Sequence, residues 1–421
     1  MVKELIILCI LLITDVSWWR WAGRRARLLP YGNLWNILLA LFMSAQVFYI
    51  LTNILGAFDF YVSDPWPRGF AVTAYIWNLL ILPTAVGCFA IEFVIKRAGK
   101  TSKREDVAST APAESAGTAL VTRRQVLSAA AIALPPVVTA VAAGHAMGQT
   151  GEFRVRRVEL NIPQLPPDLD GVTIAHVTDL HLGRFVPTSL IGPVADAVNA
   201  MSCDIVAFTG DLLDVTLPYP PTGMEFLKRL RPANRLVMIE GNHDVMYNAE
   251  RFEGELRSAG FPLLLDEAMT IQLPGRATPL QFLGMSWGEL LLGNQLHKIG
   301  RARKFHFRET GDAQRADSIR RLAALRDPKA FPILLAHHPH AFDPAAAAGL
   351  PLVLSGHTHG GQLMLTPQIG VGPLRFRYWS GLYQKPGSQL FVSNGIGSWF
   401  PLRVNAPAEI VHLTLRAAAR V

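Results

Sequence analysis

The sequence predicts an α/β domain preceded by an all-α transmembrane region, and three observations carry that expectation. Half of the 421 residues are hydrophobic and only 17% are charged, a balance that points to membrane spans. Long apolar stretches crowd the N-terminal third of the chain. From Arg154 onward the pattern changes to short apolar runs, each ending in polar residues, with helical patterns between several of them.

Four apolar stretches, at about residues 5–21, 34–55, 70–95 and 126–143, make up the first part. The second and third are long enough to cross a bilayer with some tilt. Asp15 interrupts the first, and Trp18, Trp19 and Trp21 suit a headgroup-level belt. Arg20, Arg24, Arg25 and Arg27 mark the first loop as cytoplasmic, while the next carries Asp59 and Asp64 and reads as external. Lys96, Arg97, Lys100, Lys103 and Arg104 follow the third stretch. The expected organisation is therefore transmembrane helices over 1–97 (about three spans) and a flexible cytoplasmic linker over 98–121. Residues 122–146 then form either a twin-arginine-like leader, on Thr122-Arg123-Arg124-Gln125, or a fourth span. Both readings put the remainder, with a globular domain over 155–421, outside the cytoplasm. Whether Gly144-His145-Ala146 is a processing site stays open.

The formal charge of +8 includes many Lys and Arg beside the apolar stretches, so no nucleic-acid partner is expected. Three scattered cysteines, with no CxxC pair, argue against a disulfide framework and a thiolate zinc site.

Expected strands in the globular part lie at 172–177, 205–208, 236–239, 282–285, 332–335, 352–354 and 390–392, with helices over 186–201 and 225–230. Five strand ends carry ligand-type residues: Asp179-Leu180-His181, Gly210-Asp211-Leu212-Leu213-Asp214, Gly241-Asn242-His243-Asp244, His337-His338-Pro339 and Gly356-His357-Thr358-His359-Gly360-Gly361. Residues i and i+2 of an extended segment point the same way. Asp179 with His181, and His357 with His359, can then each present a pair. Any one motif alone is weak; five in order at strand ends point to a metal site.

In that order the motifs resemble the signature of the calcineurin-like metallophosphoesterases, D-x-H, G-D-x-x-D, G-N-H-[DE], H and G-H-x-H. The resemblance covers roughly residues 155–415. Gly360-Gly361-Gln362, Gly381-Leu382-Tyr383, Ser393–Gly397 and Pro401–Asn405 are similar to a bacterial phosphodiesterase branch with a twin-arginine leader or membrane anchor. The resemblance implies a two-sheet β-sandwich flanked by helices, with the site on loops at one edge. It implies two divalent metal ions (Mn, Fe or Zn), with Asp179, His181 and His359 on one. It likewise implies Asn242, His337 and His357 on the other, with Asp211 bridging both. His337 is preferred to His338 for its spacing before Pro339. His243 is implied as a proton donor oriented by Asp244, acting as a metal-activated water attacks phosphorus.

Arg403 and Asn394 are candidate phosphate contacts, with loop hydrogen bonding as the alternative. Residues 288–308 read as a basic flap against lipid or as a solvated loop, and residues 363–376 as a membrane-facing or substrate-facing loop. The expected function is a phosphodiesterase at the membrane or cell envelope, acting on a phosphoester substrate that a lipid can carry. A phosphomonoesterase, a pyrophosphate hydrolase of a nucleotide-linked lipid, and a non-catalytic metal-binding receptor or assembly factor are the alternatives. Oligomeric state is not readable from the sequence.

Overall fold

The computed structural model describes residues 2–56, 67–87, 122–149, 151–214, 220–232, 235–246, 248–287 and 312–417. The expected linker, the loop bearing Asp59 and Asp64, and the 288–308 segment lie outside them. The chain divides into two compact units, Met1–Met147 and Gly148–Val421.

The first unit is helical: Val2–Ala26, Gly32–Gly56, Arg68–Ile76 running on through a π-helical turn at Trp77–Ile81, and Arg123–Gly148. Four of its segments are long and apolar enough to cross a membrane: Ile6–Ala26, Gly32–Thr52, Arg68–Gly87 and Gln125–Gly148. Their outer faces carry Leu and Ile side chains, such as Leu41 at 67% exposure and Leu127 at 70%. That arrangement suits lipid rather than water. Asp15 is fully buried and accepts a 2.7 Å hydrogen bond from Trp77 Nε1, which is how an acid is tolerated in the first stretch. Pro135 and Pro136 sit inside the last helix, and Thr139 Oγ1 donates to the Pro135 carbonyl at 2.8 Å. The segment Thr122–Gln125, expected as leader or span flank, forms a helix-start capping box. Thr122 N donates to Gln125 Oε1 (2.9 Å), and Gln125 N to Thr122 Oγ1 (3.3 Å).

The second unit contains strands β1 (Arg154–Ile162), β2 (Thr173–Val177), β3 (Ile205–Thr209), β4 (Leu236–Ile239), β5 (Glu267–Ile271), β6 (Leu280–Gly284), β7 (Phe331–Leu335), β8 (Leu352–Ser355), β9 (Met364–Thr366), β10 (Ile369–Gly370), β11 (Gly381–Lys385), β12 (Ser388–Val392) and β13 (Glu409–Ala417). One sheet runs β1-β13-β2-β3-β4, the other β11-β12-β8-β7-β6-β5, and β9 with β10 forms a small hairpin. Within the sheets β2-β3-β4 and β6-β7-β8-β12 are parallel. The two sheets pack face to face: Ile205 and Ala207 of β3 share a core with Phe282 of β6, Ile333 of β7 and Phe391 of β12. The alternate residues Val206 and Phe208 face outward under helices that include Ile191–Ala200 and Ala249–Ser258. The second sheet is covered by Asp312–Ala324 and Phe342–Ala347. Being buried on both faces, the central strands have unbroken apolar runs, and these are the ones the sequence discloses.

Some expectations require correction. The 186–201 segment is helical only over Ile191–Ala200, because Pro187 leads into a 3₁₀ turn at Thr188–Leu190. Strands β1, β5, β11 and β13 had no counterpart in the sequence reading. β1 alternates exposed and covered residues, with Arg154, Arg156 and Arg157 among them, so no apolar run announces it.

Candidate metal centre

Six parallel strands from the two sheets end at the same edge, and each is followed within two or three residues by a side chain of the site. Asp179 follows β2, Asp211 β3, Asn242 β4, His337 β7, His357 β8 and Trp287 β6. Backbone bonds zip neighbouring loops together: Asp179 N to the Gly210 carbonyl (2.9 Å), His181 N to Asp211 O (3.0 Å), and Gly356 N to His337 O (3.1 Å). The cost is conformational. Asp179, His181, Asp211, His357 and His359 all have positive φ, between 49° and 71°, a region unfavourable for residues with a Cβ and concentrated at functional sites. This corrects the extended geometry expected for Asp179/His181 and His357/His359; left-handed turns aim these pairs inward instead.

The side chains converge in two groups that share a border. In one, His181 Nε2 and His359 Nε2 lie 3.0 Å apart, with Asp179 Oδ1 at 3.7 and 3.4 Å from them. In the other, Asn242 Oδ1 is 3.2 Å from His337 Nε2 and 2.9 Å from His357 Nδ1. Asp211 Oδ2 stands between the groups, 3.3 Å from His181 Nε2 and 3.2 Å from His337 Nε2. Potential ligand atoms of Asp179, His181 and His359, and of Asp211, His337 and His357, lie within 4.8 Å of one another. Buried imidazole nitrogens facing each other this closely need a proton or a cation between them. The mixed N/O set, without thiolate, fits divalent metals.

Neighbours fix these rings and carboxylates. His337 Nδ1 is 2.7 Å from the Thr209 carbonyl, so it donates there and leaves Nε2 facing the site. Asp179 accepts from Thr178 Oγ1 and from His357 N, and Asp211 Oδ1 accepts from His243 N at 2.8 Å. Burial acts against the charge on Asp211, but His337, His243 and His181 outweigh it and hold the carboxyl well below the usual range. Glycine is required by close approach: a Cβ on Gly356 would collide with the Asp179 carboxylate and Thr178 Oγ1, and one on Gly241 with Asp211.

His243 is more accessible, at 16% side-chain exposure against 0–2% for His181, His337 and Asp211. Its Nδ1 lies 2.8 Å from the Asp214 carbonyl and 3.3 Å from Asp214 Oδ1. Burial works against its protonation, yet the Asp211 charge, then the hydrogen bond and charge of Asp214, push its pKa up to about 9. Here a second expectation is corrected: Asp214 holds the His243 ring, whereas the Asp244 carboxylate accepts backbone N–H bonds from Gly241 and Leu213, both at 2.9 Å.

His338, two residues before His340, packs outside the cluster against His357, His340 and Trp287. Arg403 and Asn394 are buried, at 7% and 4% exposure. Arg403 donates to His359 Nδ1 (3.0 Å) and to the carbonyls of His359, Asn394, Gly395, Gly397 and Ala406, and its Nε donates to Ser398 Oγ. Asn394 accepts from Ser380 Oγ and donates to the Pro407 carbonyl. The loop hydrogen bonding weighed as the alternative is thus what both residues make. Trp287 escaped the sequence reading, although its ring lies 5.4 Å from His337 and 5.1 Å from His357. Its position just past a strand end was the available signal.

Residues 172–361 match the family model of the calcineurin-like phosphoesterases. Relatives agree. The chain is 27% identical over 290 residues to a transmembrane protein with a metallophosphoesterase domain from Danio rerio, covering 67% of this chain and 62% of that one. It is 28% identical to metallophosphoesterase YkuE of Bacillus subtilis (60% and 82% covered) and 29% identical to phosphodiesterase YaeI of Escherichia coli (58% and 81%). The family model and the relatives support the calcineurin-like metallophosphoesterase superfamily. The family model and the phosphodiesterase-named relative support, at family level, a metal-dependent phosphoester hydrolase. The apolar helices and the zebrafish relative support membrane association. The match spans less than two thirds of that relative's length.

Proposed function

We propose that this chain is a two-metal phosphodiesterase fixed in the membrane by its N-terminal helices, with the domain over 155–421 on the extracytoplasmic side. The observation that carries it is the Asp211 carboxylate standing between two compact groups of N/O ligands. Asp179, His181 and His359 would hold one divalent ion and Asn242, His337 and His357 the other, with Asp211 placed between the two groups. When bound, the ions neutralise an anionic phosphoester and lower the pKa of a water that attacks phosphorus.

The chain's own part is positioning and proton transfer. His243, held at Nδ1 by Asp214, donates a proton to the leaving alkoxide from Nε2. Asp244 supports this indirectly by fixing Gly241 and Leu213, the loops that carry Asn242 and Asp211. Arg403 locks the His359 loop.

The test is metal analysis and turnover of the purified full chain with Mn²⁺, Fe²⁺ or Zn²⁺ against an aryl phosphodiester, an aryl phosphomonoester and a pyrophosphate. We expect about two ions per chain and preference for the diester. Asp211→Asn should lower turnover by about three orders of magnitude or more and release metal. Full activity in that variant would end the proposal. Preference for the monoester or pyrophosphate would move the function to the alternative hydrolase reading.

A further inference from the structure

Beside the metal centre the catalytic unit wears apolar side chains on its outside. The β9–β10 hairpin and the Val371–Arg375 helical turn after it expose Leu374 (87%), Leu365 (76%), Ile369 (58%) and Val371 (45%). Val404 and Trp399, 36% and 43% exposed, extend the surface. The 398–405 loop is tied to the hairpin by the Val404 pairing with Leu363 and by Asn405 Nδ2 donating to the Met364 and Leu365 carbonyls. Elsewhere among the described residues of this unit, large apolar side chains are exposed only at Val155, Leu325 and Leu382, scattered singly. A water-facing surface gathers no such cluster without a partner.

Three facts select the partner. The first is charge: no Asp or Glu occurs between Asp343 and Glu409, and Arg375 is exposed beside the hairpin, while Arg377, exposed as well, pairs with Asp343. Apolar side chains flanked by cations suit an interface of anionic headgroups and acyl chains. The second is the tether. Five residues separate the apolar helix ending at Gly148 from β1 at Arg154, a reach of at most about 18 Å. The third is continuity with the site. The hairpin follows the His359–Gly361 turn, Val371 N bonds the Leu363 carbonyl, and the Phe376 ring lies 5.7 Å from that of His357.

We propose that the Met364–Arg375 segment seats in the interfacial layer of the phospholipid bilayer that holds the chain's own helices. The metal centre then opens at headgroup level and takes phosphoesters embedded in that bilayer. The seating stands on exposure, charge and the tether; the substrate class rests on the hydrolase reading above.

The full chain, with its three cysteines replaced by Ala, carries a fluorophore at L374C or, as control, at L325C. It is reconstituted in vesicles of zwitterionic and anionic phospholipid. We expect the Leu374 label to be quenched by nitroxides on the upper acyl chain and shielded from aqueous iodide, with the reverse at Leu325. Iodide quenching at both positions overturns the seating. Shielding of Leu374 from both quenchers overturns it too, since another protein surface then covers the patch. A second arm compares turnover of a vesicle-embedded phospholipid with that of a soluble aryl phosphodiester. The variant L365S/L374S should lose about tenfold on the vesicle substrate and keep its soluble activity. Equal loss on both, or none on the vesicle, overturns the assigned substrate class. If the unsubstituted chain turns over neither substrate while the quenching pattern holds, the seating survives and the hydrolase reading fails.

Discussion

The two units solve opposite problems with the same residue types. In the helical unit, Leu and Ile side chains face outward and the interior carries a buried polar contact, Asp15 with Trp77. In the catalytic unit the Leu, Ile and Phe side chains fill the layer between the sheets and the layers under the helices on both outer faces, while the metal-type side chains are gathered at one edge. The difference teaches where polar networks are costly to disturb. An isolated pair in a helical bundle can be replaced by apolar contact. A converging edge, where loops, carbonyls and rings depend on one another, cannot lose one member quietly.

Substitutions can break or sharpen that contrast. The largest effect on folding should come from Arg403→Gln, which leaves several buried carbonyls and His359 Nδ1 without their donor. We expect a loss of about 3–5 kcal/mol in denaturant unfolding, with lower metal content. Stability within about 0.5 kcal/mol of the parent would show that the edge is not a network. Gly356→Ala should follow, because its Cβ displaces Asp179 and Thr178; turnover falls on the order of a hundredfold, while far-UV dichroism stays unchanged.

Glu240 gives a pH test of the same edge. Burial, then the charge of Glu253, pushes its carboxyl up to about 8, and its Oε1 accepts from Trp287 N at 3.0 Å. The folded value is raised above the unfolded one. The stability it contributes is therefore fully present below about 4.5 and is lost as pH rises through about 8. Glu240→Gln should flatten this decline and raise the melting temperature at pH 9 by about 4 °C or more; an unchanged alkaline slope would assign the loss to other groups. The smallest effect should come from the helical unit. Trp77→Phe with Asp15→Leu removes both partners of the pair, and we expect a change of about 1 kcal/mol or less in detergent unfolding. A loss comparable to Arg403→Gln would erase the contrast between the units.

Much of the molecule was legible in the chain. The central strands announce themselves because they are buried on both faces, and the metal-type residues because they follow those strands at nearly constant spacing. Less visible were the edge strands and β13. At the edge, Arg154, Arg156 and Arg157 hide β1, because a strand covered on one side alternates instead of running apolar; inside the sheet, His412, Thr414 and Arg416 break up the apolar run of β13. Arg403 reads as a phosphate contact or as a loop hydrogen-bonder, since only its charge is written in the sequence, whereas its partners are carbonyls brought in by separate loops. That Asp214, and not the expected Asp244, lies against the His243 ring likewise turned on loop geometry, since both stand at the end of a motif.

The sequence by itself determined the division into an apolar helical region and an α/β domain, the central strands and the five ligand-type motifs at strand ends, since these depend on local composition and spacing; the choice of seven side chains as proposed ligands came with the family resemblance. Only the tertiary structure decided that Asp211 stands between two groups, that left-handed turns aim the ligands, that Arg403 serves the scaffold, and that Leu365 and Leu374 lie outside. Those are relations between segments far apart in the chain, and burial, distance and exposure exist only once the segments have met.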